Sequence, residues 1–102
     1  MSGFVTEAAG KLLPGALAEF EKALGKLPDG YVEGRYEGRA WGVTVNRSAD
    51  RRRIWLYGEE LGATNIVSFN LYMLATAPPI LKPCEMSSSK VVEFVLGFDP
   101  HR

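Results

Sequence analysis

The chain is 102 residues long, enough for one domain with a single modest core and too short for two. Hydrophobic residues at 46% and charged residues at 24% make a globular rather than a disordered composition. Twelve basic residues balance twelve acidic ones, so net charge gives no argument for a nucleic-acid or anionic-membrane partner, and the single Cys84 excludes an intrachain disulfide and any C-x-x-C zinc or redox site.

The first predicted element is a helix. Leu13, Leu17, Phe20, Leu24 and Leu27 recur at spacings of four and three, which places them on one stripe, while Glu19, Glu21, Lys22 and Lys26 fall elsewhere. Pro14 either sits in the first turn, where its missing N–H costs little, or kinks a longer helix starting near Thr6. Leu27-Pro28-Asp29-Gly30 reads as the turn that ends it.

From Tyr31 the apolar period changes to two. Glu37-Gly38 reads as a two-residue hairpin turn, and that register sets Gly34 opposite Trp41 and Val32 opposite Val43. A second turn at Ser48-Ala49-Asp50-Arg51 pairs Val45 with Ile54 and Val43 with Leu56. In the fourth strand Val67, Phe69, Leu71 and Met73 point one way, and Ser68, Asn70 and Tyr72 the other. Ile80-Leu81-Lys82 then reads as a short edge strand stopped by Pro83.

Ser87 to Leu96 is predicted to close the chain as a helix, with a serine N-cap, Val91, Val92 and Val95 on the buried side, and Gly97 as the C-cap. Two helices with one apolar stripe each and a sheet with one apolar face imply a two-layer α+β sandwich. It would be a four- to five-stranded antiparallel sheet with the N- and C-terminal helices packed on one face. Residues 1–102 form one domain in this reading, with 1–5 and 99–102 as frayed tails. The opening MSGFVTEAAGKLLPG is not a secretory leader, and no run approaches the roughly 20 apolar residues of a membrane span, so a soluble cytoplasmic protein is expected.

The face of the sheet turned away from the core holds the candidate site. Tyr31, Arg35, Gly42, Thr44, Arg53, Trp55, Tyr57, Asn70 and Tyr72 share it, with Ala40 and Gly42 as a small-residue floor between aromatic walls. Aromatics there point to noncatalytic binding of a protein or small ligand, or to a homodimer interface; the C-terminal segment folded over them would account for them equally. Residues 31–57 also carry an excess of three positive charges, from Arg35, Arg39, Arg47, Arg51, Arg52 and Arg53 against Glu33, Glu37 and Asp50. Arginine interleaved with aromatics is the chemistry of single-stranded nucleic-acid binding, which stands as the first alternative through Arg35, Arg53 and the rings.

Thiol chemistry at Cys84 is the second alternative, because Cys84-Glu85-Met86-Ser87 lies just before the closing helix, whose N-terminal amides lower a thiol pKa. His101 is the only histidine and lies near the chain end, so neither a Ser-His nor a Cys-His pair is expected on a rigid element. Glu59-Glu60 read as adjacent loop carboxylates that diverge into solvent. No catalytic residue, cofactor or metal site is predicted.

Overall fold

Two residues with positive φ, Glu37 at 52° and Gly38 at 78°, make the first hairpin turn as tight as its strands require. Residues 14–77, 79–84 and 86–101 are described by the structure, a computed structural model. In chain order they form α1 (Pro14–Gly25), β1 (Gly30–Tyr36), β2 (Arg39–Arg47), β3 (Arg53–Glu60), β4 (Ile66–Tyr72), β5 (Ile80–Pro83), α2 (Ser88–Gly97) and β6 (Asp99–Pro100). The strands make one antiparallel sheet in the order β5-β4-β3-β2-β1-β6, and the two helices pack against it. This is the expected α+β sandwich with one strand more than the sequence suggested.

Alternation drives the layering. Trp41, Val43, Val45, Leu56, Val67, Phe69 and Leu71 are all buried, with Ile54 and Met73 partly buried beside them, and they meet Phe20, Leu24 and Leu27 from the α1 side. From α2 come Val91, Val92, Phe94 and Val95. The sequence reading passed over Phe94, which is the largest of the four and lies 4.8 Å, ring to ring, from both Tyr36 and Trp41. Phe20 and Phe69 pack at 5.8 Å on the other side of the core.

The first hairpin has the expected register, with Gly34 opposite Trp41 and Val32 opposite Val43. The second is shifted by two residues: Val45 pairs with Leu56 and Arg47 with Ile54. The reason lies in the turn, which holds more chain than a tight turn would. Asp50 Oδ1 accepts from Ser48 Oγ at 2.7 Å and from the Arg52 amide at 3.0 Å, while Ser48 Oγ accepts from the Arg53 amide at 3.0 Å, and Arg51 takes a φ of 63°. A shift of two leaves every side chain on its expected face.

Three terminal expectations change. α1 ends at Gly25, with Leu27 buried in the turn beyond, and Thr6, Leu13 and the expected frayed residues 1–5 lie outside the described residues. Gly97 is the last helical residue rather than a left-handed cap. Phe98 follows in extended conformation and its N–H returns to Phe94 O at 2.8 Å, and a Cβ on Gly97 would lie 3.0 Å from the Tyr36 ring. Asp99–Pro100, expected as tail, pair with Gly34 and Arg35 as β6, and the His101 amide donates to Glu33 O at 2.8 Å. Gly34 permits this, because a Cβ there would sit 2.7 Å from the Phe98 ring and 2.8 Å from Pro100 Cα. The described residues of the C-terminal segment therefore extend the sheet at its edge and do not fold over the outer face.

Phe69 is fully buried at the centre of β4 against Phe20. Phe69→Ala is expected to lower unfolding free energy by about 3–5 kcal/mol. A urea melt whose midpoint is unchanged by that substitution would disprove the packing.

Candidate functional site

Antiparallel pairing sets the outer face out in rows across the strands. Tyr31, Thr44, Tyr57 and Ser68 form one row; Asn46, Trp55, Asn70 and Lys82 form the next; Arg53, Tyr72 and Ile80 form the row beyond, beside the β2–β3 turn. On the other side of the tyrosine row lie Glu33, Gly42, Glu59 and Ile66. No element among the described residues packs on this face.

Side-chain geometry divides the nine predicted residues into three groups. Trp55 and Tyr57, two apart on β3, stand nearly parallel at 14° with ring centroids 6.0 Å apart. Around them lie Thr44, Asn70, Arg53 and Tyr72, and Arg53 Nε donates to Asn70 Oδ1 at 3.3 Å. A shallow cavity of about 300 Å³ opens here between Trp55, Arg53, Asn46 and Ser48. Tyr31 and Gly42 make a second group: the Tyr31 ring lies across Gly42, so that a Cβ there would come within 2.9 Å of it, and only the absent side chain allows the approach. The floor at Gly42 is thus covered by Tyr31, itself 55% exposed. Arg35 stands apart at the far end, where its guanidinium donates to Gly38 O at 3.3 Å.

Electrostatics differ between the two ends. Tyr31 Oη donates to Glu33 Oε2 at 3.0 Å; that bond, more than desolvation or the nearby Glu33 and Glu59 charges, holds the phenol above its ordinary pKa. Glu33 and Glu59 therefore mark an acidic end. Arg51, Arg52, Arg53 and Lys82 mark a basic one, and the only carboxylate of that turn, Asp50, is already occupied by its own loop. Lys82, which the sequence reading did not include, reaches 5.9 Å from the Tyr72 ring centroid. The signal for it was the placement of Lys82 in a strand beginning at Ile80, which puts it on the outer face.

Of the six arginines in the central basic cluster, two serve the architecture. Arg47 is nearly buried; it donates to Leu24 O and Leu27 O, each at 3.0 Å, and pairs with Asp29, so its charge caps the C-terminal carbonyls of α1. Arg39 pairs with Glu60 at 3.0 Å.

Glu60 departs most from expectation. Rather than diverging with Glu59 into solvent, it is 5% exposed on the helix-facing side of β3, because two consecutive strand residues point to opposite faces. Asn65 donates to Glu60 Oε1 at 2.8 Å and Arg39 to Oε2. The Asn65 bond is the main influence lowering its pKa, helped by Arg39 and opposed by desolvation. It borders a second cavity of about 440 Å³ that lies between the sheet and α2, with Trp41, Asn65, Lys90 and Phe94 in its lining. Among the described residues Trp41 Nε1 is buried without a hydrogen-bond partner.

Cys84 is exposed after β5, and His101 follows β6. They lie at opposite edges of the sheet. Among the described residues no three His, Cys, Asp or Glu side chains are grouped to hold a metal ion, and no helix is long and apolar enough to cross a membrane. Comparison with known protein families, curated proteins and solved structures gives no significant match.

A carboxylate whose folded pKa is lowered stabilises the fold above its unfolded pKa, near 4.3 for glutamate, and that contribution is lost as pH falls through the folded value. Glu60→Gln is therefore expected to be less stable than the parent at pH 7 and to converge on it below about pH 4. Chemical denaturation at a series of pH values checks this. Parallel stability curves from neutral to acid pH would show that the Glu60 charge is unimportant to the fold.

Proposed function

We propose that the protein is a noncatalytic binding module whose working surface is the outer face of the sheet, taking a protein, a small ligand or a second copy of the chain, with a single-stranded nucleic acid as the alternative occupant. The carrying observation is the near-parallel Trp55–Tyr57 pair on a face that no described element covers. Rings held side by side on a rigid strand offer apolar area at little entropic cost, and Thr44, Asn46, Asn70 and Arg53 around them supply donors and acceptors that fix orientation. Tyr31, Arg35, Gly42 and Tyr72 complete the proposed surface. The separation of the single histidine from the single cysteine by the width of the sheet supports a noncatalytic role over thiol chemistry at Cys84. An exposed unpaired cysteine fits a reducing compartment, which supports a cytoplasmic location.

Amide and indole resonances of the isotopically labelled protein, followed against a panel of small planar compounds and over a protein dilution series, test this reading. Shifts are expected to cluster on the Trp55 indole, Thr44, Tyr57 and Asn70. A surface that responds neither to any compound nor to protein concentration would remove the binding role, as would shifts confined to the helix side.

A further inference from the structure

We infer that the occupant of this face is a single-stranded nucleic acid, lying across the strands at the basic end; the inference rests on the binding role of the outer face proposed above. The decisive feature is the segregation of charge along the strands. Net charge over the chain is zero, and the excess of arginine in the central hairpins is partly consumed by the Arg47–Asp29 and Arg39–Glu60 pairs. What is left is unevenly spread: Arg35 lies at the same end as the two carboxylates Glu33 and Glu59, whereas Arg53, Lys82 and the turn residues Arg51 and Arg52 lie at the other, where the one turn carboxylate is already bonded. The turn that carries the arginines is tied to the sheet, since the Met73 amide donates to Arg52 O at 2.7 Å, so these charges are held beside the last rows of β3 and β4.

Aromatic rings lie among those charges. Tyr72 has Arg53 as its partner on β3 and Lys82 above its ring from β5, and Trp55 stands one row further in with Tyr57 beside it. Neighbouring strands are about 4.8 Å apart, so β3 and β5 stand about 10 Å apart on either side of Tyr72 and Asn70, with Lys82 one row further in than Arg53. Tyr72 between two cations, with Trp55 and Tyr57 following Arg53 along β3, suits a chain that alternates phosphate with base: the phosphates meet Arg53 and Lys82, and the bases stack on Trp55, Tyr57 and Tyr72. Asn46 and Asn70 offer amides to base edges within the same row as Trp55. A duplex hides its base faces and cannot use the rings. A protein partner or a second copy of the chain has no particular need of four cations beside one occupied carboxylate. The acidic end, with Tyr31 bonded to Glu33, repels phosphate and confines the strand to the far rows.

The test is fluorescence anisotropy of labelled single-stranded oligonucleotides of mixed sequence, both RNA and DNA, titrated with the full chain at several salt concentrations. Competing duplex and heparin are included. Two to four phosphate contacts give an expected slope of log K against log[salt] of about −1.4 to −2.8. Arg53→Ala and Lys82→Ala should each reduce that slope by about 0.7. Trp55→Ala should weaken binding by about 5- to 150-fold with the slope unchanged. Lys22→Ala, which removes an exposed cation of α1 on the helix side, should leave both unchanged, and thermal melts of all four variants should match the parent.

Tight heparin binding that Trp55→Ala does not affect would mean charge adhesion and would overturn the inference. So would oligonucleotide binding equally sensitive to Lys22→Ala. If no oligonucleotide binds at low salt while planar compounds or dilution still shift the Trp55 indole, the nucleic-acid inference falls and the outer face remains a binding surface for another partner. If oligonucleotides bind and their shifts map to the helix side, both fall.

Discussion

Phe94 is the point on which the layers close. Its ring meets Tyr36 from the end of β1 and Trp41 from β2, so one side chain of α2 fastens the closing helix to the first hairpin. Phe98 stacks behind it at 5.4 Å, and the chain then passes alongside Gly34 as β6. Removing a large aromatic from such a site loses contacts on several sides at once, which neighbouring rings do not refill. With α2 fixed in this way and α1 packed through Phe20 on Phe69, one face of the sheet is committed to the core. The opposite face is left outside the core.

Charged residues are divided between architecture and surface in a way their types do not announce. Arg47 and Glu60 are both drawn inward. Arg47 neutralises the exposed carbonyl end of α1 and ties it to the β2 terminus, while Glu60 is accommodated on the helix side because Asn65 and Arg39 satisfy its oxygens. Withdrawing Arg39 and Arg47 from the basic set turns a diffuse excess of arginine into a localised one. Arg53, Lys82 and the turn residues Arg51 and Arg52 gather at one end of the outer face, while Arg35 shares the other end with the carboxylates Glu33 and Glu59. A charge gradient along the strands gives the face a direction, which a uniformly charged or uniformly aromatic surface lacks.

Aromatic residues show the same division by parity of position. Trp41 and Trp55 both lie in strands, yet one is buried beneath α2 and the other stands on the outer face beside Tyr57. Tyr31 and Tyr36 are on the same strand five residues apart, and odd spacing sends them to opposite faces. Tyr36 joins the core aromatics; Tyr31 covers Gly42 on the other side.

The sequence by itself determined the layer architecture, the core face of the first four strands and the membership of the outer face, because side-chain parity in a strand is a local property and two hairpin turns agreed on it. A register error of two residues at the second hairpin did no harm to those assignments, since a period of two is blind to it. Only the tertiary structure decided what depends on which strands become neighbours. The parity of Glu60 was available from the chain, but that a carboxylate is tolerated there rests on Arg39 and Asn65, brought up by separate segments. Lys82 joins Tyr72 only because β5 pairs with β4, and Asp99–Pro100 become a strand only because Gly34 leaves room for them at the β1 edge. Arg47 reads as one more surface charge until α1 ends beside it, for a helix's unpaired carbonyls exert their pull on whatever the fold places within hydrogen-bonding reach.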